Sequence, residues 1–252
     1  MFRKFLVIVL VLSLCACSNP GRDNTLVVFA AASLTDAFNE ISKAFETTHP
    51  NVVVMLNFAG SNTLRAQIEQ GAQADVFASA NIGEMENLTK IGLVNVDKNI
   101  TFLTNHLVVI TPINNPAKLS TFQELSRPGL KLVLAAEEVP VGRYARLMLG
   151  NAGVKFKTQV LANVVSNENT VKQVVAKIQL GEADAGIVYA SDAVASPDLP
   201  VIEIPSEWNV QAEYPIAPLV NAPHPELAEA FVDFVLSPEG GTILEKWGFT
   251  PP

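Results

Sequence analysis

Short apolar runs alternate with helical spacings along almost the whole chain. The run TLVVFAA (Thr25–Ala31) is continuously apolar, as in a strand buried on both faces. The next apolar residues, Leu34, Ala37, Phe38, Ile41 and Phe45, recur at the spacing of one helix face. The design then repeats: residues 51–58 (NVVVMLNF) read as a strand, Ala59-Gly60-Ser61-Asn62 as a tight turn, and Leu64 to Ile68 as a helix that Gly71 can end. Further strands are expected over residues 74–80, 106–111, 131–136 and 185–190. Helices are expected from about Val141, over residues 170–181, and after Pro225 and Gly241. With no fixed-period repeat, low-complexity tract or charge run, this is an α/β chain.

In open parallel α/β sheets a ligand binds beyond the carboxyl ends of the strands, where helix N-termini point free N–H groups. Position alone therefore nominates Ser33, Ser61, the Pro140-Val141-Gly142 turn and the 167–171 entry. A plainer reading stands beside this. Ser33-Leu34-Thr35-Asp36 also has the form of a helix cap with an acidic residue three places on, and Ser61-Asn62-Thr63 is rich in capping residues, so neither motif by itself requires a ligand.

The N-terminus changes the picture of where the chain works. Arg3 and Lys4 precede an apolar run from Phe5 to Leu12, the pattern of a secretory signal, and the run turns polar at Ser18 before it could span a bilayer. Leu14-Cys15-Ala16-Cys17 resembles a bacterial lipobox, which makes residues 1–16 the signal peptide and Cys17 the lipidated residue; ordinary signal cleavage would want a smaller residue than Leu14. Both cysteines of the protein lie here, so the remainder has no thiol for a disulfide, a metal or a nucleophile and relies on its core.

A net charge of −8 with no Lys/Arg cluster after the signal excludes a nucleic-acid partner. It does not exclude a small anion, because helix N-termini can bind one without cations. Enzyme motifs are missing: no G-x-S-x-G, H-E-x-x-H, P-loop or strand-to-helix G-x-G-x-x-G occurs. His49, His106 and His224 read as loop or strand-end residues, and Glu137 and Glu138 as solvated neighbours. No metal-ligand spacing is present.

Four segments together carry a resemblance: VVFAAASLTDAFNEIS (27–42), FAGSNTLRAQIEQGAQADVFASA (58–80), EEVPVGRYA (137–145) and GEADAGIVYASDAVAS (181–196). With the C-terminal EKWGF, the chain resembles the periplasmic molybdate-binding proteins of ModABC importers from about Leu26 onward. That resemblance implies a type II periplasmic-binding-protein fold, in which two α/β lobes close on a cleft. Lobe 1 would hold residues 24–104 and 213–252, and lobe 2 residues 105–212. It implies a protein that is not an enzyme and uses no cofactor. The chain would act as a monomer in the periplasm or on the outer face of the cell membrane, handing molybdate or tungstate to a membrane permease. Carried onto matching positions, the oxyanion ligands would be Ser33, Ser61, Val141, Val171 and Tyr189, with molybdenum bound as its oxyanion and not ligated directly. Val141 stands where relatives can have Ala, and Gly60 and Asn62 where they can have Ser. Two rivals stay open: a binding protein for sulfate, phosphate or an organic anion, and a hydrolase or transferase using Ser33 or Ser61, for which no base is in view.

Overall fold

The computed structural model describes residues 24–252; the expected signal peptide over residues 1–16 and the expected lipidation at Cys17 fall outside the described residues. The chain runs β1 (Thr25–Ala31), α1 (Thr35–Thr48), β2 (Val53–Ala59), α2 (Ser61–Glu69), β3 (Val76–Ala78), α3 (Ile82–Lys90) and β4 (Ile100–Asn105). It continues through β5 (Leu107–Ile110), β6 (Leu132–Ala135), α4 (Pro140–Asn151), α5 (Val154–Ala162), β7 (Val164–Glu168), α6 (Val171–Gln179), β8 (Ala185–Tyr189) and α7 (Ala190–Val194). It ends with β9 (Val201–Glu203), β10 (Ala212–Pro218), α8 (Pro225–Leu236) and α9 (Pro238–Lys246).

Two five-stranded sheets result, ordered β2-β1-β3-β10-β4 and β7-β6-β8-β5-β9. In the first, β1 pairs in parallel with β2 and β3, while β10 is antiparallel to β3 and β4. The second repeats the plan, with β6 parallel to β7 and β8, and β5 antiparallel to β8 and β9. The chain passes from one sheet to the other between Asn105 and Leu107 and returns between Glu203 and Ala212. This is a two-lobed α/β fold with two crossings.

Each lobe is held by the apolar faces the spacing marked out. On α1, Ala37, Phe38, Ile41 and Phe45 are buried, and Phe45 and Phe38 meet Phe231 of α8 edge to face at ring distances of 5.3 and 6.1 Å. Burying each such ring contributes about 1.5–3 kcal/mol. In the second lobe Phe122 packs against Phe156 and Trp208.

Two strands depart from the simple pattern. β2 starts at Val53 and lies at the sheet edge, with Val53 and Met55 more than half exposed. β10, unrecognised in the sequence, carries Pro215 and Pro218 in the middle of a sheet, where proline normally argues against a strand. The register shifts at Tyr214/Pro215, and that irregularity accommodates the missing N–H.

Candidate anion site between the lobes

The strand-to-helix junctions of both lobes meet at one small cavity. Ser33, Ser61, Val141, Val171 and Tyr189 all line it, together with Ala31, Ala32, Gly60, Ala80, Val139 and Pro140. Position in the sequence separates the five by up to 156 residues (Ser33 to Tyr189), yet each is at most 5 % exposed. No charged side chain and no histidine lines the cavity.

Ser33 lies in a 3-10 turn (Ala32–Leu34) between β1 and α1 and caps neither helix. Its Oγ is instead 3.0 Å from Tyr214 Oη on β10. Ser61 opens α2, with Gly60 as the capping residue, and its Oγ accepts from Ala80 N–H at 3.0 Å. The Ser61 hydroxyl hydrogen is thereby left to donate elsewhere. The cap reading of both serines is thus not the one the fold uses.

Val141 and Val171 contribute backbone. Val141 follows Pro140 in the first turn of α4, and Val171 opens α6 behind Thr170, whose hydroxyl accepts from Gln173 N–H at 3.2 Å. First-turn N–H groups have no intrahelical acceptor, and the helix dipole adds partial positive charge there. The start of α4 is pressed so closely against the end of β6 that a Cβ at Gly142 would lie 2.0 Å from Ala136 O. Only glycine permits that approach.

Tyr189 ends β8 fully buried, and its hydroxyl has no hydrogen-bond partner among the described residues. Burial pushes its pKa well above the ordinary value, with the neighbouring Tyr214 adding to the effect, so it stays a protonated donor. The five groups together offer three hydroxyls and two amides, all able to donate.

Around the cavity the lobes touch through polar contacts that the sequence did not disclose. Lys172 Nζ on α6 is 2.7 Å from Asp36 Oδ2 on α1 and 3.1 Å from Asp192 Oδ1 on α7. Glu84, nearly buried, binds Arg65 of its own lobe at 2.7 Å and Arg143 across the cleft at 3.3 Å. Asn81 Nδ2 donates to Tyr144 Oη at 3.1 Å. Burial works against the charge on Lys172, but Asp192 and Asp36 outweigh it and hold its pKa above the ordinary value. The charge on Lys172, next to Val171, is therefore already paired.

Catalytic groups are not gathered here. His49 stacks on Phe45, His224 lies 3.5 Å from Asp75, and Glu137 pairs at 3.8 Å with Arg146 on the surface. Among the described residues no cluster of three His, Cys, Asp or Glu could hold a metal, and no helix is long and apolar enough to cross a membrane.

Two α/β lobes meeting over a small cavity lined by uncharged residues have the architecture of a solute-binding protein. The chain belongs to the bacterial extracellular solute-binding protein family, whose model matches residues 26–250. It is 39 % identical over 229 residues to the molybdate-binding protein ModA of Mycobacterium tuberculosis, covering 90 % of this chain and 85 % of that one. Among solved structures, the Azotobacter vinelandii periplasmic molybdate-binding protein superposes with a TM-score of 0.80 at 20 % identity, covering 90 % of this chain and 99 % of that one. The sulfate-binding protein SubI of M. tuberculosis superposes with a TM-score of 0.84 at 18 % identity, covering 90 % and 87 %. Those two structures share the fold, and the fold alone does not separate their ligands. The resemblance to the molybdate-binding proteins, drawn from four sequence segments, is borne out.

Proposed function

We propose that this protein captures molybdate, and tungstate equally well, outside the cytoplasm for delivery to the permease of an ABC importer. One observation carries the reading: five donors from separate junctions of two lobes converge on a single buried cavity without a charged side chain. Lobe 1 (24–104 and 213–252) supplies Ser33 and Ser61, and lobe 2 (105–212) supplies Val141, Val171 and Tyr189. Only the closed form offers all five to the same ion, so binding and closure are coupled. Hydrogen bonds to a charged group contribute about 1.5–3 kcal/mol each, enough for tight capture without lysine or arginine.

A cage of donors selects by protonation and size. Hydrogen phosphate needs an acceptor, which amide N–H groups cannot supply. Sulfate is a dianion but smaller, so donors fixed on helix ends stand farther from its oxygens, and hydrogen bonds weaken as they lengthen. Molybdate and tungstate match in charge and nearly in radius. The 39 % identity to a molybdate-binding relative supports molybdate over sulfate.

The protein works as a monomer, tethered through a lipid on Cys17. Calorimetric titration of the purified protein with molybdate, tungstate, sulfate and phosphate at neutral pH tests the ligand. Comparable binding of the first two and much weaker binding of the others is expected. Sulfate within tenfold of molybdate would mean that the cage is compliant and the ligand class wrong.

A further inference from the structure

The hydrogen bond between Ser33 and Tyr214 is 3.0 Å long, and either hydroxyl could be its donor. Ser33 has one hydrogen. Spent on Tyr214, it would leave Ser33 facing the cavity with lone pairs alone, which repel a dianion. On the anion-binding reading above, on which this inference rests, the direction therefore matters.

We propose that Tyr214 is a positioning residue: it donates its phenolic hydrogen to Ser33 Oγ, and so commits the Ser33 hydrogen to the bound oxyanion. Three observations point to this direction. First, Tyr214 is fully buried and its ring is fixed edge to face between Tyr189 and Phe249, each 5.7 Å away, so the hydroxyl has no solvent to turn toward. Second, a phenol is a stronger donor than an aliphatic alcohol, and burial keeps this one protonated by raising its pKa well above the ordinary value. Third, its neighbour Asn105 has its acceptor engaged, since Oδ1 accepts from His106 N–H at 2.9 Å. Asn105 presents its Nδ2, which donates to Ser191 Oγ at 2.9 Å. Asn105 therefore offers Tyr214 a donor and not an acceptor, and of the hydroxyls beside Tyr214, those of Ser33 and Tyr189, Ser33 Oγ is the one in direct hydrogen-bond contact, at 3.0 Å.

Reversal of the pair is blocked for the same reason. If a protonated anion pressed its own hydrogen on Ser33, the Ser33 hydrogen would have to move onto Tyr214. The Tyr214 hydrogen would then lose its direct partner, Ser33 Oγ, and be left only the neighbouring Tyr189 hydroxyl. Tyr214 thus specifies a fully deprotonated oxyanion without touching it, from the strand by which the chain re-enters lobe 1.

Molybdate titrations of the purified full chain carrying Tyr214→Phe, Ser33→Ala and both substitutions test the proposal. Tyr214→Phe is expected to weaken binding by about 2- to 12-fold, the range of one net hydrogen bond. Because Tyr214 acts through Ser33, the double variant should bind no more weakly than Ser33→Ala alone. Losses that multiply in the double variant, or unchanged affinity in Tyr214→Phe, would overturn it. Site-specific replacement of Tyr214 by 3-fluorotyrosine keeps the fold and makes the phenol a stronger donor. Tighter binding is expected, and weaker binding would show the bond running the other way. Failure of the wild-type chain to bind molybdate would sink the functional reading itself and this inference with it; multiplying losses in a chain that does bind would sink this inference alone.

Discussion

Ser61 and Tyr189 both line the cavity, but the surroundings of their hydroxyls give them different predicted phenotypes. Ser61 Oγ already accepts from the buried Ala80 N–H, so Ser61→Ala removes a donor to the anion and also orphans that amide. Affinity should fall by about 1.5–3 kcal/mol and ligand-free stability by about 1–3 kcal/mol. The Tyr189 hydroxyl has no protein partner, so Tyr189→Phe should lose affinity by a similar amount while urea unfolding of the ligand-free protein is unchanged or slightly harder. Wild-type affinity in Tyr189→Phe, measured calorimetrically, would remove the tyrosine from the cage. At this scale the sequence was partly legible. Ser33, Ser61 and Val141 could be nominated because a strand ran into a helix at each and Val171 because it lies at the entry of the expected 170–181 helix, whereas Tyr189 was reached only through the GIVY resemblance. Tyr214 was not reached at all. Its contact with Ser33 spans 181 positions, and no local pattern encodes such a pairing.

Helices α1, α6 and α7 meet at Lys172, and the charges there make the elements responsive to closure and to pH. Asp36 reads in the sequence as a first-turn acid suited to the α1 dipole, yet its carboxylate also reaches Lys172 across the cleft. Asp36→Asn should therefore weaken anion binding by removing a contact made when the lobes close. The pair is about one-third exposed, which limits the loss to about 0.2–1 kcal/mol, or up to roughly fivefold in affinity. Titrations that match wild type at low salt would show that the contact does not distinguish closed from open.

Asp192 is different because it is wholly buried: burial pushes its pKa up from 3.8 to about 6, with Lys172 pulling the other way. The folded form thus holds this proton more tightly than the unfolded chain. The contribution favours folding fully below the unfolded value and is lost as pH rises through about 6. In Asp192→Asn that falling contribution disappears, so unfolding free energy should climb more steeply, or decline less, between pH 4 and 6 than in wild type. Parallel urea curves for the two proteins across that range would contradict the assignment. Elements with clean spacing, such as β1, α1 and β8, were legible in advance. β10 was not, because two prolines hide a strand that survives only through a register shift, and neither was β7, a five-residue strand with two exposed positions.

The molecule as a whole carries a net charge of −8 and yet is read here as a receptor for a dianion. The two are compatible because the field inside a cavity lined by no charged side chain is set by the nearest dipoles, which on the proposed reading are two helix N-termini and three hydroxyls. Tethering is a separate matter. Cys17 precedes the described fold, so Cys17→Ala should release the protein from membranes washed in high salt and leave molybdate affinity unchanged; retention in the pellet would mean another anchor. On the proposed reading the five groups act together on one ion. A crystal structure grown with molybdate, using the anomalous signal of molybdenum to find it, decides whether they do. One peak is expected between the lobes, its oxygens about 2.7–3.2 Å from Ser33 Oγ, Ser61 Oγ, Tyr189 Oη and the backbone nitrogens of Val141 and Val171. A molybdenum peak elsewhere, or one in the cleft held by charged side chains instead, would contradict it.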